Sequence, residues 1–128
     1  MSTNRLKDVE DYICDTLDAI FNDSIKLQKE FDATRECRAI NTQYIGRAPD
    51  DQHSMMKLSV HFTSLRKKRS KAIEDIDKIY KNFPIYNAYV TNSLVISTVL
   101  VYITSPLRTT VDSDYGWTYT ATFEVTTT

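Results

Sequence analysis

The stretch from Trp117 to Thr126 constrains the fold of this chain more than any other. Trp117, Tyr119, Ala121, Phe123 and Val125 alternate with Thr118, Thr120, Thr122, Glu124 and Thr126 without a break. Successive side chains of a strand point to opposite faces, so this alternation requires a sheet with one apolar and one wet face. The apolar face must be covered, and two other stretches carry the periodicity to do so. Leu6, Val9, Ile13, Leu17 and Ile20 recur at steps of three and four, as do Ala72, Ile73, Ile76, Ile79, Tyr80 and Phe83. Each set lies on one side of an α-helix.

Ser2, Thr3 or Asn4 can cap the first helix, and Asn22-Asp23-Ser24 supplies turn chemistry at its end. Ser70 is the expected cap of the second helix, Pro84 its stop, and Lys71, Glu74, Asp75, Lys78 and Lys81 its solvent side. A further strand reads clearly at 57–63, where Leu58, Val60 and Phe62 alternate with Lys57, Ser59, His61 and Thr63. Leu94 to Ile103 is apolar on both faces, which suits a central strand or an edge buried by a partner chain, and Pro106 ends it. Residues 25–47 alternate too weakly to assign beyond one or two strands. Gly46 to Asp51 reads as a loop, and Leu107 to Gly116 as a polar connection long enough to project. The expected architecture is α+β: a single domain with a mostly antiparallel sheet of about four strands and both amphipathic helices on one face.

Several function classes find little support. The longest apolar run has ten residues, whereas a spanning helix needs about twenty, and the N-terminus has no apolar core of a signal peptide. A soluble protein with reduced cysteines is expected. Cys14 and Cys37 fit no metal spacing, and Cys37 reads as a small, half-buried strand residue. With two glycines the chain has few places for a phosphate-cradling loop, and it contains no nucleotide-binding or nucleophile-elbow motif. His53 and His61 have no partners for a zinc site. Asp8, Asp11, Asp15 and Asp18 share a helix face, the pattern of a solvated side more than of a cation site. No catalytic residue, metal or cofactor is expected.

The net charge of −1 names no partner class, but Arg66, Lys67, Lys68, Arg69 and Lys71 form a dense basic run. It reads as a solvated turn into the second helix, as a phosphate-binding patch, or as the complement of the acidic first helix on a neighbouring copy. Without interleaved aromatics it is no base-stacking platform. Tyr86, Tyr89, Tyr102, Tyr115, Trp117 and Tyr119 are many amphipathic aromatics for one small sheet, and such side chains are common where protein surfaces meet.

The order of elements resembles the tail-terminator (minor capsid or tail-completion) proteins of tailed bacteriophages. The corresponding parts are Leu6–Phe21, Cys37–Ile45, Gly46–Asp51, Met56–Thr63, Ser70–Phe83, Leu94–Ile103 and Asp112–Val125. Most suggestive is Asp112-Ser113-Asp114-Tyr115-Gly116-Trp117-Thr118-Tyr119 running on to Phe123-Glu124-Val125, similar to the family's closing turn and strand. The segment Ser24–Glu36 is longer and more charged than the family pattern, and the usual glycine pair is reduced to Gly46. The resemblance implies a non-enzymatic virion protein that assembles in the host cytoplasm. Its partners would be five further copies in a hexameric ring, the tail tube protein and a head-tail connector or neck protein. DNA would pass through the lumen without specific binding, and no membrane is involved. A closed ring needs two different, complementary faces on each subunit. The expected contact residues are Arg47, Asp50 and Asp51 in one loop, Arg108, Asp112, Asp114, Tyr115 and Trp117 around the other, and the basic run. Another neck protein, or a small nucleic-acid-binding module using residues 66–71, are the alternatives.

Overall fold

A computed structural model describes residues 5–47, 56–91, 94–111 and 114–127, with side chains described over 7–43, 57–88, 95–108 and 116–127. Its elements are α1 (Arg5–Phe21), β1 (Leu27–Gln28), β2 (Cys37–Arg47), β3 (Met56–Arg66), α2 (Arg69–Asn82), β4 (Ile85–Thr91), β5 (Leu94–Ile103), β6 (Leu107–Val111) and β7 (Asp114–Thr127). The class is α+β as expected, but the sheet has seven strands and not about four. They run in the order β1-β2-β3-β7-β5-β4, with β6 also on β7. The β1–β2 pair is parallel and every other pairing antiparallel. The strands that escaped sequence reading are short or irregular. β1 has two residues. β4 shifts register between Ile85 and Ala88, where Asn87 takes φ 54°. β6 lies in the stretch read as a polar connection.

β7 is the spine. It pairs with β3 from Trp117 to Thr127 on one side, and with β5 and then β6 on the other. β5 and β6 therefore act as one long strand interrupted at 104–106. Thr104 bridges the interruption: its N–H donates to Thr120 O at 2.9 Å, and its Oγ1 accepts from Thr120 N at 2.9 Å. β5 is an interior strand, yet Val99, Val101 and Tyr102 remain exposed. The reason is that both helices lie on the other face.

Val9, Ile13, Leu17 and Phe21 of α1 and Ala72 and Ile79 of α2 pack with Ile40, Leu58, Val60, Phe62, Tyr119, Ala121, Phe123 and Val125 in one core. The register Leu58↔Val125, Val60↔Phe123 and Phe62↔Ala121 places these strand residues on one face, as the alternation requires. Each such side chain contributes roughly 1.5–3 kcal/mol when fully buried. On the opposite face, the partners Ser59↔Glu124, His61↔Thr122 and Thr63↔Thr120 form a polar surface that no helix covers. Gly116 lies on this face against Leu65, whose side chain a Cβ at 116 would strike.

α1 stops as read. Asn22 takes a left-handed φ of 51°, and its N–H donates to Asp18 O at 2.8 Å. The proposed caps Ser2, Thr3 and Asn4 lie outside the described residues. α2 starts two residues earlier than expected: Lys68 is the N-cap and makes no side-chain cap bond, so Ser70 is already helical. The helix ends at Asn82, before Pro84.

Candidate functional site

The register gives the sheet two distinct ends. At one end β3 finishes at Arg66, opposite Trp117. The β6–β7 hairpin continues past that point through the pairs Thr109↔Gly116, Thr110↔Tyr115 and Val111↔Asp114. At about 3.3 Å per residue this amounts to an extension of about 10 Å. The expected projecting loop Leu107–Asp114 is thus a strand hairpin, because its backbone pairs with β7. The opposite end carries the pair Arg47↔Met56 that flanks residues 48–55, and the pair Thr91↔Leu94 that flanks residues 92–93. The two proposed contact loops therefore belong to opposite ends of one sheet.

The basic run splits at the end of β3. Arg66 is buried, whereas Lys67, Lys68, Arg69 and Lys71 are exposed. Lys71 pairs with Glu74 at 3.7 Å. Among the described residues no ion pair engages Lys67, Lys68 or Arg69. These three cations sit at the start of α2, where unpaired backbone N–H groups and the helix dipole already favour negative charge. An anionic surface would relieve both.

Arg66 is drawn inward by a charge cluster that the sequence reading missed. Arg38 of β2 is 0% exposed and Asp75 of α2 only 2%. Arg38 NH2 donates to both oxygens of Asp75 at 3.0 Å and to Asp23 Oδ2 at 2.8 Å, and NH1 donates to Asp23 Oδ1 at 2.6 Å and Ile25 O at 3.0 Å. Arg66 NH1 donates to Asp75 Oδ2 at 2.7 Å and Oδ1 at 2.9 Å, and its Nε donates to Glu36 Oε2 at 3.1 Å. The Tyr119 hydroxyl donates to Asp75 Oδ2 at 3.2 Å. The Arg38 guanidinium lies 3.9 Å from the centre of the Phe21 ring, which stacks on Phe62.

Asp75 was expected on the solvent side of α2. It lies instead between Ala72 and Ile79 on the buried stripe, and two guanidiniums and a phenol compensate its charge. Burial raises the Asp23 and Glu36 carboxyls, but for Asp23 the Arg38 guanidinium, and for Glu36 the Lys67 N–H and Arg66, outweigh it, and both end below the usual range. Burial pushes the Tyr119 phenol well above its ordinary value. Arg38 Nε is buried without a hydrogen-bond partner among the described residues. The cluster joins the α1–β1 turn, β2, β3, α2 and β7. Its charges are paired with one another, and structurally it is a clamp. The signal in the sequence was an arginine on the inward register of β2 (Arg38, Ile40) and an aspartate on the inward stripe of α2.

The other expected contact residues are scattered. Trp117 packs half-buried against the core. Arg108 is exposed on β6. Arg47 ends β2, and Asp114 and Tyr115 begin β7, with their side chains outside the described set. Asp50, Asp51 and Asp112 lie outside the described residues. Of the aromatics, Tyr86 and Tyr102 are exposed, Tyr119 is in the core, and the side chains of Tyr89 and Tyr115 are not described. His61 bonds neighbours on the open face, Nδ1 to Thr122 Oγ1 at 3.4 Å and Nε2 to Ser59 Oγ at 3.3 Å. On α1, Asp11 pairs with Lys7 and Lys29, Glu10 with Lys29, and Asp18 accepts the Leu27 N–H, so two of the four aspartates of the acidic face are engaged within the chain. Both cysteines are free and buried, and Cys37 is more enclosed than expected. Among the described residues no cluster of three or more His, Cys, Asp or Glu is arranged to hold a metal ion, and no helix is long and apolar enough to cross a membrane. No protein-family model matches this chain, and no curated protein matches it either.

Proposed function

We propose that this chain is a structural subunit of a phage tail terminator: a ring that caps the tail tube, stops its growth and offers a surface for head-tail joining. The observation that carries the proposal is the two-ended sheet, with a strand hairpin extending from one end and the β2–β3 and β4–β5 connections at the other. A capping ring must meet a tube on one side and a neck on the other, and a subunit with different elements at opposite ends suits that task. The clamp of Arg38, Arg66 and Asp75 at the base of the hairpin also supports a scaffolding role, since it ties β2 and β3 to α2.

Electron microscopy of particles assembled with and without the chain tests this. Over-long or ragged tubes and unjoined heads in its absence are the expected result. Tubes of normal length overturn it, and unjoined tails of correct length assign the chain to the neck instead. The exposed Lys67, Lys68 and Arg69 favour one other reading, a module that binds nucleic acid. Under that reading the logarithm of DNA affinity falls linearly with the logarithm of salt concentration, and replacing the three cations abolishes binding.

A further inference from the structure

The uncovered face of the sheet is not uniformly open. Cys37 and Ala39 pair with Leu65 and Thr63, on the face away from both helices, yet they are only 2% and 5% exposed. What covers them is the segment from Lys29 to Glu36. Asp32 N–H donates to Cys37 Sγ at 3.4 Å, and the Cys37 thiol donates to Gln28 Oε1 at 3.6 Å. Beneath the segment lies a groove of about 330 Å³ lined by Lys29, Phe31, Ala39, Asn41, His61 and Thr63 among others.

This cover is held differently from the rest of the fold. Its one large apolar side chain, Phe31, is 40% exposed and outside the core. Its two ends are fixed by ionic contacts. Lys29 Nζ reaches Glu10 at 3.2 Å and Asp11 at 3.3 Å on α1. Glu36 Oε2 accepts from Arg66 Nε at 3.1 Å and from Lys67 N at 3.0 Å. Between them the chain mainly bonds to itself: Asp32 accepts from the Thr34 backbone and hydroxyl and pairs with Arg35. A segment with little buried apolar area and partly exposed polar anchors opens at lower free energy than the core.

We propose that residues 29–36 form a strap that opens without unfolding the domain, uncovering Cys37, Ala39 and the groove beside His61 while β1 and the core stay in place. It is a conformational device of the single subunit and does not rest on the ring. The two buried cysteines provide its test, because Cys14 packs in the core on α1 and Cys37 lies under the strap.

Single-cysteine variants, Cys14→Ala and Cys37→Ala, are labelled with a pyridyl disulfide, each rate being divided by the rate for the same variant unfolded in urea. The division corrects for the intrinsic reactivity of each unfolded thiol; because burial also pushes the folded Cys14 thiol up to about 11, the opening of the strap is read chiefly from the variant effects on each thiol. The expected result is that Cys37 is protected at least about tenfold less than Cys14. Glu36→Gln then speeds Cys37 labelling by about tenfold and Lys29→Ala by about twofold, with Cys14 labelling changed much less. Equal protection of the two thiols, or variants that move both together with the urea transition, overturns the proposal.

Discussion

Arg66 and Lys67 are adjacent in the chain and similar in charge, yet they have opposite fates. Arg66 faces the helices at the end of β3 and is locked between Asp75 and Glu36, while Lys67 and the two cations after it are exposed. The difference teaches that a run of like charges is not a unit. Arg66 is the last residue of β3, and its inward register brings it within reach of Asp75 and Glu36, whereas Lys67 and Lys68 lie beyond the strand. Its planar fork suits the role, because it satisfies Asp75 and Glu36 with separate N–H groups.

The sharpest way to break this contrast is Asp75→Ala, which leaves two buried guanidiniums without their shared carboxylate. It should cost about 3–5 kcal/mol, read from the urea midpoint by Trp117 fluorescence. A loss below 1 kcal/mol would mean the cluster is more hydrated than its burial indicates. Acid provides the next test. Asp23 and Glu36 are depressed in the folded chain, so their contribution is complete above the ordinary carboxylate range and is lost as pH falls through the folded values. Urea midpoints should therefore drop below about pH 4, and less so in Asp23→Asn.

The exposed half of the run should respond in the opposite sense. Lys68→Asp supplies the missing cap of α2 and an anion at the positive end of its dipole, and should stabilise the chain by about 1 kcal/mol. Smallest of all is Lys67→Ala, expected within about 0.5 kcal/mol because that side chain has no ionic partner among the described residues. Its effect belongs in assembly, where tube-capping or DNA-binding assays should register the lost charge even though the melting curve does not.

Elements with a sustained local period were legible: α1, α2, β3 and β7 lie where stripes and alternations put them. β6 was not, because Leu107 to Val111 is too short and polar to alternate visibly and becomes a strand only by pairing with β7. The clamp was half legible. Arg38 and Asp75 occupy inward positions of their elements, but each taken alone reads as a surface charge. Of the expected contact residues, the run 67–69 is exposed, Arg66 is buried and Trp117 is half-buried.

By itself the sequence determined where α1, α2, β3 and β7 lie and which side of each is apolar, because side-chain periodicity is a property of neighbouring residues. Only the tertiary structure decided that β5 and β6 follow each other along β7, that the helices leave one sheet face open, and that Arg38, Arg66 and Asp75 meet. Their pairing spans up to 37 residues of chain. A buried charge is tolerable only once its distant partner is in place, and that condition has no local signature.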